Sequence, residues 1–456
     1  MGGKRFAGIE VPPDLTRSNF FFLYLNLLLI GILLAIPAVM QPAFLKDVIK
    51  VSGDFFGSIN GAMQSIGQVA MLIFIGMLGV LSDRIGRKPL AVTGFAVLAV
   101  FFVLFFYSNT IASFLPIPSD TAATLCAALS FSSNQDVFRS FSPGLLIAYL
   151  IRFIIGLGLV MVFPQFKAMI ADYTDEKGRG KGMAFNGLMI GLGALLVFTV
   201  FAPLGRRSGI VMLFYASALI GAVGVFMSLL GLRERLPERT EGNAGLKELI
   251  GVVKKSLAMK ASYLSALVTR VDVPITATYL ITWAVQVAPR YQISSETASF
   301  KGAVPMMVMS SFTLVAFPIF GILLDRWGRV PTIILTLFLG GLGFMIIAGA
   351  PSPFISVATL IGVTLVGCSV CGAVVGSSAL AADASPPSLV GATLGGLNTM
   401  AQVGLIFFLA IGGVLFDKVG PGGVFVVKGA ANILVGIYIF AMRNKIRIKP
   451  EGSQGV

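Results

Sequence analysis

The chain has 456 residues, of which 56% are hydrophobic and 12% charged, and its mean hydropathy is +0.92. That balance excludes a water-soluble domain, because runs of about 20 apolar residues are what crosses a bilayer. The net charge of +14 does not mark a nucleic-acid binder: the cations sit in connections between apolar runs, not in one basic stripe.

The first 18 residues are polar and carry no short apolar core with a cleavage site. No cleavable signal peptide is expected, and insertion relies on the first span. The apolar runs predict twelve spans, at 19–41, 56–82, 89–108, 144–171, 182–204, 209–231, 261–287, 297–324, 331–349, 354–382, 389–416 and 421–442. With the N-terminus inside, the cytoplasmic segments hold 22 of the Lys and Arg residues and the outer segments 8. This asymmetry predicts both termini in the cytoplasm of a multi-pass protein, taken to lie in a bacterial inner membrane. The domain reading is an N-terminal six-span half at 1–231, a cytoplasmic linker at 232–260 and a C-terminal half at 261–456. The linker carries Arg233, Glu234, Arg235, Glu238, Arg239, Lys247, Lys254 and Lys255.

Span 2 ends in Gly79-Val80-Leu81-Ser82-Asp83-Arg84-Ile85-Gly86-Arg87-Lys88-Pro89. The pattern returns 242 residues later as Gly321-Ile322-Leu323-Leu324-Asp325-Arg326-Trp327-Gly328-Arg329-Val330-Pro331. Each copy closes the second span of a half and turns on a glycine into the next. Spans 4 and 10 also correspond, ending in Ala171-Asp172 and Ala382-Asp383 at an offset of 211. The first half is therefore 31 residues longer between these marks, and the excess lies in the outer connection Asn109 to Pro143. Within it, Thr121 to Leu129 reads equally as an interfacial helix or as a solvated loop.

The repeated loop resembles the GxLxDRxGRR signature of the major facilitator superfamily, and the resemblance covers the chain apart from the insert and termini. It implies an all-α fold of twelve transmembrane helices in two pseudo-symmetric six-helix halves, with a midplane site between repeats. By the resemblance, Gly79, Asp83, Arg84, Gly86, Arg87 and Asp172 form a cytoplasmic gate. Gly321, Asp325, Arg326, Gly328, Arg329 and Asp383 form its echo. Asp83 is expected to face the N-terminus of span 11 near Val390-Gly391, and Arg87 to pair with Asp172. Val330 replaces the family's second basic residue, and Leu389-Val390 stands where the first half has Gly178-Arg179, so the second gate is expected to be the weaker. Arg152, Gly156 and Gly158 match the family's RxxxGxG pattern in span 4. Span 5 has Gly182, Gly187, Gly191 and Gly193 but lacks the Gly-Pro pair of drug:proton antiporters.

Span 7 carries Arg270, Asp272 and Pro274 about ten residues in, or about 15 Å at the helical rise. Pro274 predicts a kink there, and charges at that depth face a cavity or a partner. Asp272 is the one acid near mid-membrane. It is expected to carry the coupling proton or to pair permanently with Arg152 or Arg270. Asn26, Gln64, Gln68, Gln165, Asn398 and Gln402 are helix–helix ties or, as a set, cavity lining. Arg152, Arg270, Asp272, Asn26, Gln64 and Gln402 are thus the candidate substrate and ion-coupling residues. Cys126, Cys368 and Cys371 make no disulfide framework, and the CxxC at 368–371 reads as small packing residues in a span.

No GxxxxGK[ST] loop, histidine, metal-ligand cluster or paired catalytic carboxylate occurs in the sequence, so neither an enzyme nor a cofactor is expected. The leading reading is a secondary active transporter that moves a small organic solute by alternating access. Protons are the expected coupling ion, and Arg152 and Arg270 favour an anionic or carboxylate-bearing substrate. The alternatives are a drug-type efflux antiporter of the same fold and a transporter-like membrane sensor without flux. The expected partners are the solute, protons and the lipid bilayer, with no nucleic acid and a functional monomer.

Overall fold

The structure is a computed structural model, and it describes residues 5–51, 53–132, 134–235, 251, 253–254, 256–386 and 389–446. Most of the expected linker, including Glu238, Arg239, Lys247 and Lys255, and the tail from 447 lie outside the described residues.

Among the described residues, twelve helices are long and apolar enough to cross a membrane: Arg17–Ile49, Gly53–Ile85, Arg87–Phe106, Ser142–Tyr173, Gly178–Ser208, Val211–Gly231, Leu257–Tyr291, Ser295–Arg326, Arg329–Ala348, Val357–Asp383, Val390–Lys418 and Pro421–Lys445. They are spans 1 to 12 below. Several outrun the lengths read from hydropathy because polar residues extend the helix past the apolar core. Thr16, for example, caps span 1 and exchanges hydrogen bonds with Asn19.

The packing repeats between halves. Span 3 lies against spans 4 and 6, as span 9 does against 10 and 12, while span 1 packs on span 5 and the first helix of span 7 on span 11. Small residues bring these backbones together, as in membrane helix pairs generally. A side chain at Gly94 would meet the Gly158 carbonyl oxygen at 2.9 Å, and one at Gly343 the Gly362 oxygen at 2.7 Å. The architecture is the all-α, twelve-helix, two-fold repeated one.

The chain divides into two compact units, Met1–Arg239 with Ile281–Val304, and Thr240–Leu280 with Pro305–Val456. Polar contacts hold Ile281–Val304 within the first. Lys46 Nζ donates to the Val285 carbonyl at 2.7 Å, Asn60 Nδ2 to Thr282 Oγ1 at 2.6 Å, and Ser295 Oγ to Asp47 Oδ1 at 2.9 Å.

Two extra-membrane features accompany the spans. The segment before span 1 forms a hairpin, β1 (Arg5–Phe6) and β2 (Ile9–Glu10), turning at Ala7 and Gly8 with φ of 48° and 79°. Phe6 stacks on Tyr24 and meets Phe185 edge-on, while Ile9 is buried. The insert between spans 3 and 4 is helical rather than a loop, with α1 (Ser108–Phe114) and α2 (Ser119–Leu129). The Ala122, Ala123, Cys126 and Ala127 face of α2 is buried, and Leu125 and Leu129 are exposed.

Candidate functional site

In the first unit the signature loop closes span 2 at Ile85, turns at Gly86 with φ of 103°, and opens span 3 at Arg87. Only glycine adopts that angle without strain. The turn aims Arg87 at Asp172 near the end of span 4. Arg87 Nε lies 2.6 Å from Asp172 Oδ2, a charge contact poorly aligned for a hydrogen bond, and Nη2 donates to Oδ1 at 3.4 Å. The two side chains are only 11% and 10% exposed. Asp83 lies 3.7 Å from Arg87 and is largely exposed, as is Arg84, while Gly79 is half-buried.

The echo in the second unit repeats the geometry more loosely. Gly328 turns at φ of 92°, and Arg329 Nη1 binds Asp325 Oδ1 at 3.0 Å while its Nε reaches Asp383 Oδ2 at 3.3 Å. Here the Arg329 and Asp383 side chains are 29% and 36% exposed. Water screens such a pair, so it is worth less than its buried counterpart. Arg326 is exposed and Gly321 half-buried, with open space around its backbone.

Within the membrane the first unit holds Arg152, buried in span 4. Its Nη2 donates to Gln64 Oε1 at 2.9 Å, and Nε and Nη1 meet no acceptor among the described residues. Gly67 makes room for the guanidinium, since a side chain there would lie 3.1 Å from its central carbon. Asn26 is a helix tie: its Nδ2 donates to the Phe22 carbonyl, and its Oδ1 accepts from Ser228 of span 6.

In the second unit, span 7 breaks where two charges and a proline predict a kink. Leu257–Thr269 and Asp272–Val287 are separate helices with Arg270 and Val271 between them. Pro274 offers no N–H to the Arg270 carbonyl, which is why the ladder stops. Arg270 donates to Ser378 Oγ at 2.8 Å in span 10 and to Asn398 Oδ1 at 3.4 Å in span 11. Gln402, on span 11, is half-buried.

Asp272 opens the second helix of span 7 and is fully buried. Its ion-pair partner is neither arginine but Lys428 of span 12, with Nζ 2.5 Å from Oδ1 and neither side chain exposed. Lys428 also donates to Asn432 Oδ1 at 2.6 Å, and Asn432 Nδ2 lies 3.4 Å from both Asp272 oxygens. Phe344 and Phe408 place their rings 4.9 and 5.3 Å from the ammonium. The expected pairing of Asp272 with Arg152 or Arg270 is therefore replaced by a pairing with span 12. Sequence reasoning missed Lys428 and Asn432. Their signal was a lone cation in the middle of an apolar span with an amide four residues on, a combination that costs several kcal/mol unless a partner meets it.

A repeated twelve-helix bundle with paired signature turns and buried ionic groups defines a membrane transporter of the alternating-repeat kind. The family model of the Major Facilitator Superfamily matches residues 23–291 and 273–455. The chain belongs to that family, and transport is its activity. It is 26% identical to the magnetosome protein MamH of Paramagnetospirillum magneticum over 433 residues, 95% of this chain and 93% of that one. It is also 23% identical to the magnetosome protein MamZ of Magnetospirillum gryphiswaldense over 440 residues, spanning 64% of that longer protein. Among solved structures, the nucleoside transporter NupG superposes with a TM-score of 0.65 at 15% identity, covering 93% of this chain and 98% of that one. The Escherichia coli xylose transporter XylE, in an inward-open conformation, gives 0.67 at 15%, covering 96% and 97%. At that identity the two structures speak for the fold.

Proposed function

We propose that the chain is a secondary active transporter that moves a small organic anion by alternating access, coupled to protons through Asp272. The observation that carries the anionic substrate is Arg152. Its guanidinium is fixed in the membrane interior against a neutral amide, with two N–H groups unmatched and no acidic partner among the described residues. Buried donors left unmet are costly, and a carboxylate is the ligand that a planar guanidinium fork fits. The Arg87–Asp172 and Arg329–Asp383 contacts then act as gates that hold while the cytoplasmic side is closed. The family's two-repeat architecture and the charge bias support cytoplasmic termini. The naming of MamH and MamZ as magnetosome proteins supports the magnetosome membrane as the chain's location, which fractionation would test.

The test is a thermal-shift panel on the purified protein, since a ligand that binds only the folded state raises its apparent stability by mass action. Organic acids should raise the melting temperature, sugars and hydrophobic cations should not, and Arg152→Gln should abolish the shift. A shift by neutral solutes that survives Arg152→Gln would overturn the anionic reading. Uptake in proteoliposomes driven by an inward proton gradient tests the coupling.

A further inference from the structure

Span 3 begins without a cap of its own. Its N-cap residue is Gly86, which has no side chain, and its third residue is Pro89, which has no N–H. The free donors of the first turn are therefore the amides of Arg87 and Lys88. Both go to one carboxylate, 146 residues away from Lys88: Arg87 N donates to Glu234 Oε1 at 3.0 Å and Lys88 N to Oε2 at 2.7 Å. A negative charge at a helix N-terminus is favoured by the helix dipole as well as by the two bonds. The glycine makes this seat possible in a second way, since a Cβ on Gly86 would lie 2.8 Å from Oε2 and 2.9 Å from the carboxyl carbon.

The exchange is reciprocal. Lys88 Nζ donates to the Leu229 and Leu232 carbonyls at the end of span 6, at 2.8 and 2.9 Å. The residues around Glu234 are fastened too. Tyr173 OH bridges the N–H and carbonyl of Arg233, and Arg235 Nη1 donates to the Asp172 carbonyl at 2.8 Å. Asp172 is thus held from two directions, by Arg87 of the signature loop and by Arg235 of the segment after span 6. The second half has no such arrangement among the described residues: Gly328 has open space around it, and span 9 has no side-chain cap.

Building on the gate reading above, we infer that Glu234 is a positioning residue of the gate. Its carboxylate fixes the first turn of span 3 so that Arg87 reaches Asp172, and it ties the start of the linker to the signature loop. This accounts for the lower exposure of the first gate pair than of its echo.

The experiment uses the whole 456-residue chain in nanodiscs, with the three cysteines replaced by alanine and Met183→Cys as a reporter in the first two turns of span 5. Glu234→Gln and Glu234→Ala should speed amide exchange in the 84–90 peptide by about 10-fold or more, as loss of charge-assisted bonds implies. The 326–332 peptide should not change. Thiol labelling at position 183 should accelerate in these variants and in Arg87→Gln alike. Gly86→Ala should destabilise more than Gly328→Ala, and the excess should vanish in Glu234→Ala, which has no carboxylate to displace. Unchanged exchange at 84–90 in Glu234→Ala overturns the inference. So does faster exchange with unchanged labelling while Arg87→Gln labels faster, which reduces Glu234 to a helix cap and leaves the gate standing. If Arg87→Gln itself leaves labelling unchanged, the gate reading fails and the inference falls with it.

Discussion

Separating Asp272 from Lys428 should cost more in one direction than in the other. At 2.5 Å and an effective dielectric constant of about 20, the charges attract by roughly 7 kcal/mol. Removing either partner strands the other in the bilayer interior, for which about 3–5 kcal/mol is typical. In Asp272→Asn the stranded ammonium keeps Asn432 at 2.6 Å and the rings of Phe344 and Phe408. Desolvated cation–π contacts are worth about 2 kcal/mol, so this variant should fall near the lower end, about 3 kcal/mol. In Lys428→Met the stranded carboxylate keeps only two contacts at 3.4 Å to Asn432, so the loss should approach 5 kcal/mol. The double variant, which replaces the pair with neutral groups, should return to within about 1 kcal/mol of wild type. Unfolding of the purified protein in detergent, run as a double-mutant cycle, reads these numbers directly. Singles that each cost under about 1 kcal/mol, with no rescue in the double, would refute the reasoning. The same variants address coupling. If Asp272 carries the proton, an Asp272→Asn protein that folds should lose proton-driven accumulation yet retain exchange between equilibrated compartments.

Arg87→Gln should destabilise the protein by about 2–3 kcal/mol, in line with a charged group left poorly paired, and Arg329→Gln by under about 1 kcal/mol; equal losses would show that the exposure difference is immaterial. Fluorescent tags after Val456 and within the 232–260 linker should both report cytoplasm, and an external C-terminus would end the twelve-span topology. Asp83→Asn should raise cysteine accessibility along the cytoplasmic cavity more than Asp325→Asn does, and unchanged accessibility and flux in both would reduce the signature loops to topological signals.

The span count was legible because burial in lipid writes a long apolar run into the chain, and the break in span 7 because Pro274 announces a missing donor. Partners across the fold were not. Asp272 and Lys428 are 156 residues apart, and nothing local in either segment names the other. Glu234 was hidden differently. It sits in a run of alternating charges that reads as a solvated linker, and its role shows only once span 6 returns beside the start of span 3. The helical insert had weaker marks. Pro118 and Asp120 open α2 in the way helix starts do, yet an 11-residue helix with a face of alanines gives little hydrophobic contrast. The hairpin before span 1 is too short for periodicity, and its Ala7-Gly8 turn was the only cue.

That hairpin has a consequence for how the molecule is made. Phe6, Gly8 and Ile9 leave the ribosome about 170–180 residues ahead of Phe185, Lys181 and Gly178, against which the hairpin rests. At translation rates of about 5–20 residues per second, the interval is on the order of ten to forty seconds. Until then the Tyr24 contacts to Phe185 and the Gly182 carbonyl of span 5 cannot form. The hairpin thus closes late, as a clasp over two helices that enter the bilayer separately.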